Sequence, residues 1–262
     1  VTLSGGLAST VFWFVGEALA ARLGWRGATL VFAGFSLATL PLHLVIPTVA
    51  APGAAAAPTA PSRPLPPPLA VTPAEARTAA VLFGIMAVAT SVLASALAAH
   101  MIPLLVALGL AAPAAVAVSS LRGVGQSAAR LAEFASGSRL HPLDLAFAAC
   151  ALLPLSLLFA PFAGASGAAA LAFSIGGGCG NGLVTIARGA VPLVLFDPRA
   201  YGGITGRIGA PAFWFSALAP FVVALALDGG GAPLALAVLA VPALAAALAA
   251  LALARRFRPR SA

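Results

Sequence analysis

The sequence predicts an all-α, polytopic membrane protein with about eight transmembrane helices. Charged residues make up only 8% of the chain and hydrophobic residues 61%, whereas a soluble domain carries roughly 25% charged residues. Residues 78–121 and 145–187 contain no Asp, Glu, Lys or Arg. Since a helix crosses the hydrocarbon core in about 20 residues, each run is long enough for two crossings joined by a tight turn.

Four shorter uncharged runs supply the remaining expected spans. Two precede the long runs, at 1–16 and 27–46, and two follow them, at 208–227 and 229–254. We therefore expect the lipid bilayer to surround most of the chain.

The arginines predict the orientation of these spans. If the first span runs outward, every arginine except Arg22 and Arg26 falls on the cytoplasmic side, in agreement with the positive-inside bias. We therefore expect a multi-pass protein of the inner (plasma) membrane with both ends cytoplasmic. The basic residues behind the net charge of +8 lie at the ends of the predicted spans and not in a patch on a soluble domain. No nucleic-acid partner is therefore expected.

Residues 47–74 form the clearest boundary in the chain. The segment is rich in proline, which lacks an amide donor, and unpaired backbone is not tolerated in lipid. A cytoplasmic linker is thus expected between two helices in 1–46 and six helices with a basic tail in 75–262. The linker ends in Thr72-Pro73-Ala74-Glu75, a capping-box pattern that predicts the start of a helix.

Several short motifs resemble those of the major facilitator superfamily. Residues 23–27, LGWRG, are similar to the turn between that family's helices five and six, and the proline-rich linker matches its central loop. Residues 121–130, LRGVGQSAAR, resemble its loop between helices eight and nine, with Gln126 and Ala129 where the family has an acid and a glycine. Further similarities, to helices ten and eleven, are Gly180-Asn181-Gly182, Arg188-Gly189 and Ala219-Pro220.

The resemblance covers the chain as helices five to twelve. It implies a complete C-terminal six-helix bundle plus two helices of the N-terminal bundle, with on the order of 130 upstream residues missing. The opening at Val1 fits that expectation. The implied function is secondary transport of a small solute by alternating access at a site near the bilayer midplane, by a monomer. The isolated chain is then expected not to transport until the missing N-terminal helices are restored.

Polar groups inside the spans are the candidates for solute contact, because they are costly in lipid. Arg122 would hold a carboxylate or phosphate through paired donors, which favours a small organic anion; the alternative is a structural arginine bonded to a neighbouring helix. If its helix starts at Ile102, Arg122 lies at the interface. If the turn is at 109–112, as the family comparison suggests, Arg122 lies about 15 Å into the bilayer. The other solute candidates are Asn181, Ser91, Ser95, Gln126 and Thr185.

The sixth predicted span combines a polar face with glycines. Ser174, Asn181, Thr185 and Arg188 recur at helical spacing. The glycines between residues 176 and 182 would let neighbouring helices approach closely. Asn181 therefore has two interpretations, a solute contact or an interhelical hydrogen bond.

Glu17 and His100 are the candidates for proton coupling. Glu17 stands in an apolar segment and could carry a coupled proton, or it could form an ion pair with Arg22 or Arg26 at the outer surface. His100 titrates near neutral pH, which suits a pH-sensitive gate, but a solvated histidine in a turn fits equally well. The residues assigned to the loop motif and to gating are Gly123, Arg130 and Glu133, and Glu133 is spaced to pair with Arg130.

No catalytic residue, metal site or cofactor is expected. The sequence contains no GxSxG or HExxH motif, and its three histidines lie in separate segments. The alternatives to a transporter are a membrane-embedded enzyme and a non-transporting polytopic membrane protein.

Overall fold

The computed structural model of the chain describes residues 2–45, 67–137, 139–197 and 201–258. These residues are almost entirely helical, and no strand occurs among them. The predicted all-α class is therefore confirmed. Most of the predicted proline-rich linker falls in residues 46–66, outside the described residues.

The described chain contains seven α-helices and a short 3-10 turn. In chain order they are α1 (Thr2–Ala38), α2 (Leu40–Leu44), α3 (Pro73–Ala107), α4 (Ala112–Ala135), α5 (Pro142–Leu157), the 3-10 turn Ala160–Phe162, α6 (Gly167–Leu195) and α7 (Tyr201–Phe257).

Five helical stretches of the described chain are long and apolar enough to cross a membrane. They are Phe14–Leu44, Pro73–Ala107, Pro142–Phe162, Gly167–Leu195 and Tyr201–Phe257. Their outer surfaces carry large apolar side chains, such as Trp214 and Phe221, which are 77% and 63% exposed. A multi-pass membrane protein agrees with this surface. Helix α4, which carries three charged residues, is not among the five stretches.

Two of the long helices are each broken by a glycine with positive φ. Gly24 (φ 67°) divides α1 within the predicted LGWRG turn, and Gly231 (φ 64°) divides α7 close to the predicted break at Asp228. Glycine adopts this backbone conformation without the strain that a side chain would introduce. An unbroken α7 would be about 85 Å long, far more than one crossing needs. The expected total of eight crossings stays a prediction.

Contacts divide the chain into two units, Phe12–Pro66 and Val1–Val11 with Pro67–Ala262. In the smaller unit, the chain folds back at Gly24. The rings of Phe12, Phe32 and Phe35 then meet with centroids 5.8–6.3 Å apart. The smaller unit is therefore a helical hairpin held by aromatic contacts.

The start of α3 shows the predicted capping box. The side chain of Thr72 accepts a hydrogen bond from the Glu75 backbone N–H (3.2 Å), and Glu75 Oε2 accepts one from the Thr72 N–H (2.9 Å). These bonds satisfy amide groups that the first helical turn leaves without partners.

Two contacts place one set of helix ends of the larger unit side by side. The backbone N–H groups of Leu69 and Ala70 donate to the last carbonyls of α6, at 2.9 and 3.2 Å. Arg258, just after α7, forms an ion pair of 3.0 Å with Asp144 in the first turn of α5. The start of α3 is thus next to the end of α6, and the start of α5 is next to the end of α7.

The opposite helix ends also meet. The α3–α4 turn contains Gly109 (φ 102°), and a Cβ added there would lie 3.7 Å from the Cα of Gly164, in the α5–α6 connection. The short connections therefore alternate between two ends of this unit.

Helix α6 packs between α4 and α5 through glycine. On the α4 side the paired residues are Ser174 with Val118, Gly178 with Arg122 and Gly182 with Gln126. Each pair lies four residues beyond the previous one in both helices, so α4 and α6 run parallel in register. A Cβ on Gly178 would lie 3.0 Å from the carbonyl carbon of Arg122. The predicted close approach at these glycines is confirmed.

The opposite face of α6 meets α5 in the same way. A Cβ on Gly180 would lie 2.9 Å from a side-chain carbon of Leu153 and 3.0 Å from the backbone oxygen of Ala149. Small residues at such interfaces permit backbone contact in membranes, where association relies on packing rather than on the hydrophobic effect.

We expect Gly178→Ala to lower the free energy of unfolding by roughly 1–3 kcal/mol, because the added methyl group forces α4 and α6 apart. Gly203→Ala is the matched control, since a Cβ at that helical glycine meets nothing within 4 Å. The measurement is denaturant or thermal unfolding in the same detergent. Equal stability of the two variants would contradict the close packing of α4 on α6.

Candidate functional site

A groove between α3, α6 and α7 is the candidate functional site. It has a volume of about 580 Å³, within the roughly 300–1,000 Å³ that small-molecule sites occupy. Its wall is formed by Ser91 and Ser95 of α3, by Arg188 of α6, and by one face of α7 between Gly202 and Ser216. We refer to this cavity as the α3–α7 groove.

Three glycines leave open space along the α7 wall of the groove. Gly202, Gly206 and Gly209 are spaced at three and four residues, so they share one face of the helix. A Cβ added at any of the three would meet nothing within 4 Å. The space that side chains would normally occupy is therefore open.

A hydrogen bond between side chain and backbone joins the two long walls of the groove. Ser95 Oγ donates to the backbone carbonyl of Ser216 at 2.7 Å. Ser216 lies four residues before Pro220, which has no N–H to offer that carbonyl. Because an unsatisfied carbonyl is costly in lipid, Ser95 on α3 supplies the donor that α7 itself lacks.

Arg188 contributes the positive charge of the groove. Its Nη1 donates to Ser91 Oγ at 2.8 Å. Among the residues that the structure describes, Ser91 is the one hydrogen-bond partner of this guanidinium, and no Asp or Glu lines the groove. The groove therefore presents a half-buried cation whose partner is a neutral hydroxyl.

The structure places two of the predicted solute candidates in the groove and the others elsewhere. Ser91 and Ser95 are among its lining residues. The remaining four are not lining residues of the groove, namely Arg122, Asn181, Gln126 and Thr185.

The α3–α4 turn fixes the position of Arg122 within its helix. Helix α3 ends at Ala107 and α4 begins at Ala112, so the helix that carries Arg122 begins after a turn near 109–112 and not at Ile102. Arg122 therefore lies about 15 Å along α4 from its start. Its side chain is only 8% exposed.

Arg122 and Ser119 share an unusual environment within α4. Arg122 Nε and Ser119 Oγ are both buried, and neither has a hydrogen-bond partner among the described residues. Buried polar atoms without partners cost roughly 1–3 kcal/mol each, and charged ones cost more. Arg122 and Ser119 therefore form a second buried polar site in the larger unit, which is energetically unfavourable and separate from the groove.

Arg130 and the polar face of α6 form a contact between helices. Arg130 Nε donates to the Gly182 carbonyl at 3.3 Å, and its Nη2 donates to Thr185 Oγ1 at 3.1 Å. Thr185 Oγ1 in turn donates to the Asn181 carbonyl at 3.0 Å, and Gly182 packs on the backbone of Gln126. This cluster extends the α4–α6 interface by one further turn.

The other predicted residues lie apart from the groove. Gly123 is buried within α4, Glu133 is half-buried near its end, and His100 is half-buried in α3. Glu17 is exposed on α1, and the structure describes no ion pair for it. In the part of the chain that the structure describes, no group of His, Cys, Asp and Glu is arranged to hold a metal ion.

Arg188 is the groove residue that sequence reasoning missed as a solute candidate. Its place on the polar face with Ser174, Asn181 and Thr185 was a usable signal. The family resemblance and the positive-inside bias instead favour a place for Arg188 in a motif at the cytoplasmic end of its span. The structure places it seven residues before the end of α6, about 10 Å from that end.

The chain matches no family model, no curated protein and no solved structure. What the protein does must therefore be inferred from the groove and the helices around it.

We expect Ser95→Ala to lower the free energy of unfolding by about 1 kcal/mol, because the Ser216 carbonyl loses its donor. In a Pro220→Ala background, residue 220 regains an N–H, so Ser95→Ala should cost little there. Thermal unfolding of the two single variants, the double variant and the original chain measures this coupling. Equal costs of Ser95→Ala in both backgrounds would show that Pro220 is not the reason for the bond.

Proposed function

We propose that the chain is part of a secondary transporter of the major facilitator type, which moves a small solute by alternating access. The observation that carries this proposal is the α3–α7 groove. It is a polar cavity with an arginine, and it lies among helices that are apolar enough to lie in lipid. Ionisable groups at such positions are costly and are usually functional, and the groove has room for a small organic molecule.

The arrangement of helix ends supports alternating crossings. In the proposed topology, residues 73–257 cross the membrane six times, with α7 supplying two crossings on either side of Gly231. The contacts of Leu69 and Ala70 with the end of α6, and of Asp144 with Arg258, then fall at one membrane surface. The meeting of Gly109 with Gly164 falls at the other. With two more crossings in α1 and α2, the total is eight.

The resemblance in local motifs also supports the proposal. The break at Gly24 coincides with the LGWRG motif. Arg130, from the LRGVGQSAAR motif, joins α4 to α6. By the positive-inside bias we place the Arg255–Arg258 end of α7 on the cytoplasmic side of the inner membrane. Helices outside this chain would complete the second bundle that alternating access requires.

We expect Gly206→Phe to abolish solute flux, because its ring would fill the open α7 wall of the groove. Gly203→Phe is the matched control: this glycine is also on α7 and has the same open surroundings, but it does not line the groove. The measurement is exchange of radiolabelled organic acids, amino acids and sugars in proteoliposomes. The chain is tested alone and joined to the upstream helices that the family resemblance implies. Flux in both glycine variants equal to the measurable flux of the original protein would exclude the groove as the solute path.

Proton coupling is a second part of the proposal, with Glu17 as the carrier. Glu17→Gln cannot release a proton, so we expect that variant to lose uptake driven by a pH gradient while solute exchange at equal pH continues. Asp228→Asn is the control, since Asp228 is an exposed acid of α7 that does not line the groove. If uptake by Glu17→Gln still follows the pH gradient, the coupled proton is carried elsewhere.

A further inference from the structure

We propose that the α3–α7 groove binds a small organic anion with a single carboxylate, held by Arg188 and the hydroxyl of Ser91. This inference names the substrate class of the proposed transport site and so rests on the proposed function. It differs from the sequence-based expectation, which assigned anion binding to Arg122.

The first argument is charge. Arg188 is the one ionisable residue among those lining the groove. Its hydrogen-bond partner, Ser91, is neutral, so the partner does not balance the charge. A guanidinium withdrawn from water loses hydration free energy, and attraction to an opposite charge offsets part of that loss. An anionic ligand would supply that charge, whereas a cationic ligand would add to the repulsion.

The second argument is the number of free donors. The hydroxyls of Ser95, Thr205 and Ser216 all donate to backbone carbonyls, at 2.7, 2.6 and 3.1 Å. Ser91 instead accepts from Arg188, so its own O–H proton stays available. The donors left for a ligand are therefore the remaining N–H groups of Arg188 and the adjacent Ser91 hydroxyl.

These donors suit one carboxylate head. The planar guanidinium binds a carboxylate through two parallel N–H donors, and the Ser91 hydroxyl beside it can reach the same oxygens. One arginine balances one negative charge, so a doubly charged phosphate would remain half-compensated. The geometry therefore favours a monocarboxylate.

The third argument is the shape of the remaining wall. Beyond Arg188 the groove is bounded by Ala94, Ala212, Phe213 and the glycine face of α7. These residues offer an apolar surface and open space rather than further polar contacts. A ligand with a short hydrocarbon chain attached to its carboxylate would fit this wall. The open space beside the glycines would limit the size of that hydrocarbon chain.

The test compares three probes with the same four-carbon skeleton on the purified chain: butyrate, butyramide and butylamine. We expect saturable binding of butyrate, measured by calorimetry and by thermal stabilisation, and no comparable binding of the amide or the amine. This comparison uses the unaltered protein and so does not depend on the folding of any variant. Equal binding of butyramide or butylamine, or no saturable binding of butyrate, would overturn the proposal.

Variants then locate the site. Arg188→Gln should weaken butyrate binding by at least about tenfold, which is the loss expected for a charge-assisted hydrogen bond. Arg188→Lys should recover only part of this loss, because lysine lacks the planar fork. Arg207→Gln is the matched control, since Arg207 is an exposed arginine of α7 that does not line the groove. Equal weakening in Arg188→Gln and Arg207→Gln would indicate general attraction to positive charge and overturn the assignment.

The two proposals fail separately. Selective butyrate binding with no flux in proteoliposomes of the extended protein would overturn the transport function and leave the anion site intact. Flux that treats butyrate and butyramide alike would overturn the anion site and leave transport intact.

Discussion

The requirement that every backbone polar group in lipid find a partner governs this structure. Helices satisfy most of these groups internally, and at two places a neighbouring segment supplies a partner that the helix lacks. The carbonyl freed by Pro220 is bonded by Ser95, and the last carbonyls of α6 are bonded by the amides of Leu69 and Ala70. The Ser95 bond also holds α3 against α7, and the Leu69 and Ala70 bonds hold the segment before α3 against the end of α6.

Much of the local structure could be predicted from sequence because its causes are local. The break at Gly24, the capping box at Thr72 and the α3–α4 turn each depend on a few neighbouring residues. The close approach of α6 was predictable from the density of glycine between residues 176 and 182, because such a face has no side chains to keep a partner away.

The groove was harder to predict because its residues come from distant parts of the chain. Ser91 and Arg188 are 97 residues apart, and Ser95 and Ser216 are 121 apart. Ser91 and Ser95 could be proposed from their polarity alone. Their partners depend on how α3, α6 and α7 meet, which no single-helix pattern determines. Arg122 looked the stronger arginine from its sequence position, yet the structure places Arg188 in the cavity.

The glycine contact between α4 and α6 has a mechanical consequence. A contact between backbones has no side chains that could rotate to accommodate sliding, and moving α6 by one residue would bring Cys179 into the space of Gly178. The two helices must therefore move together as one rigid unit. The groove is built differently, with open glycines and one hydrogen bond between its long walls. Deformation of the larger unit should concentrate there, where the wall of α7 meets least resistance.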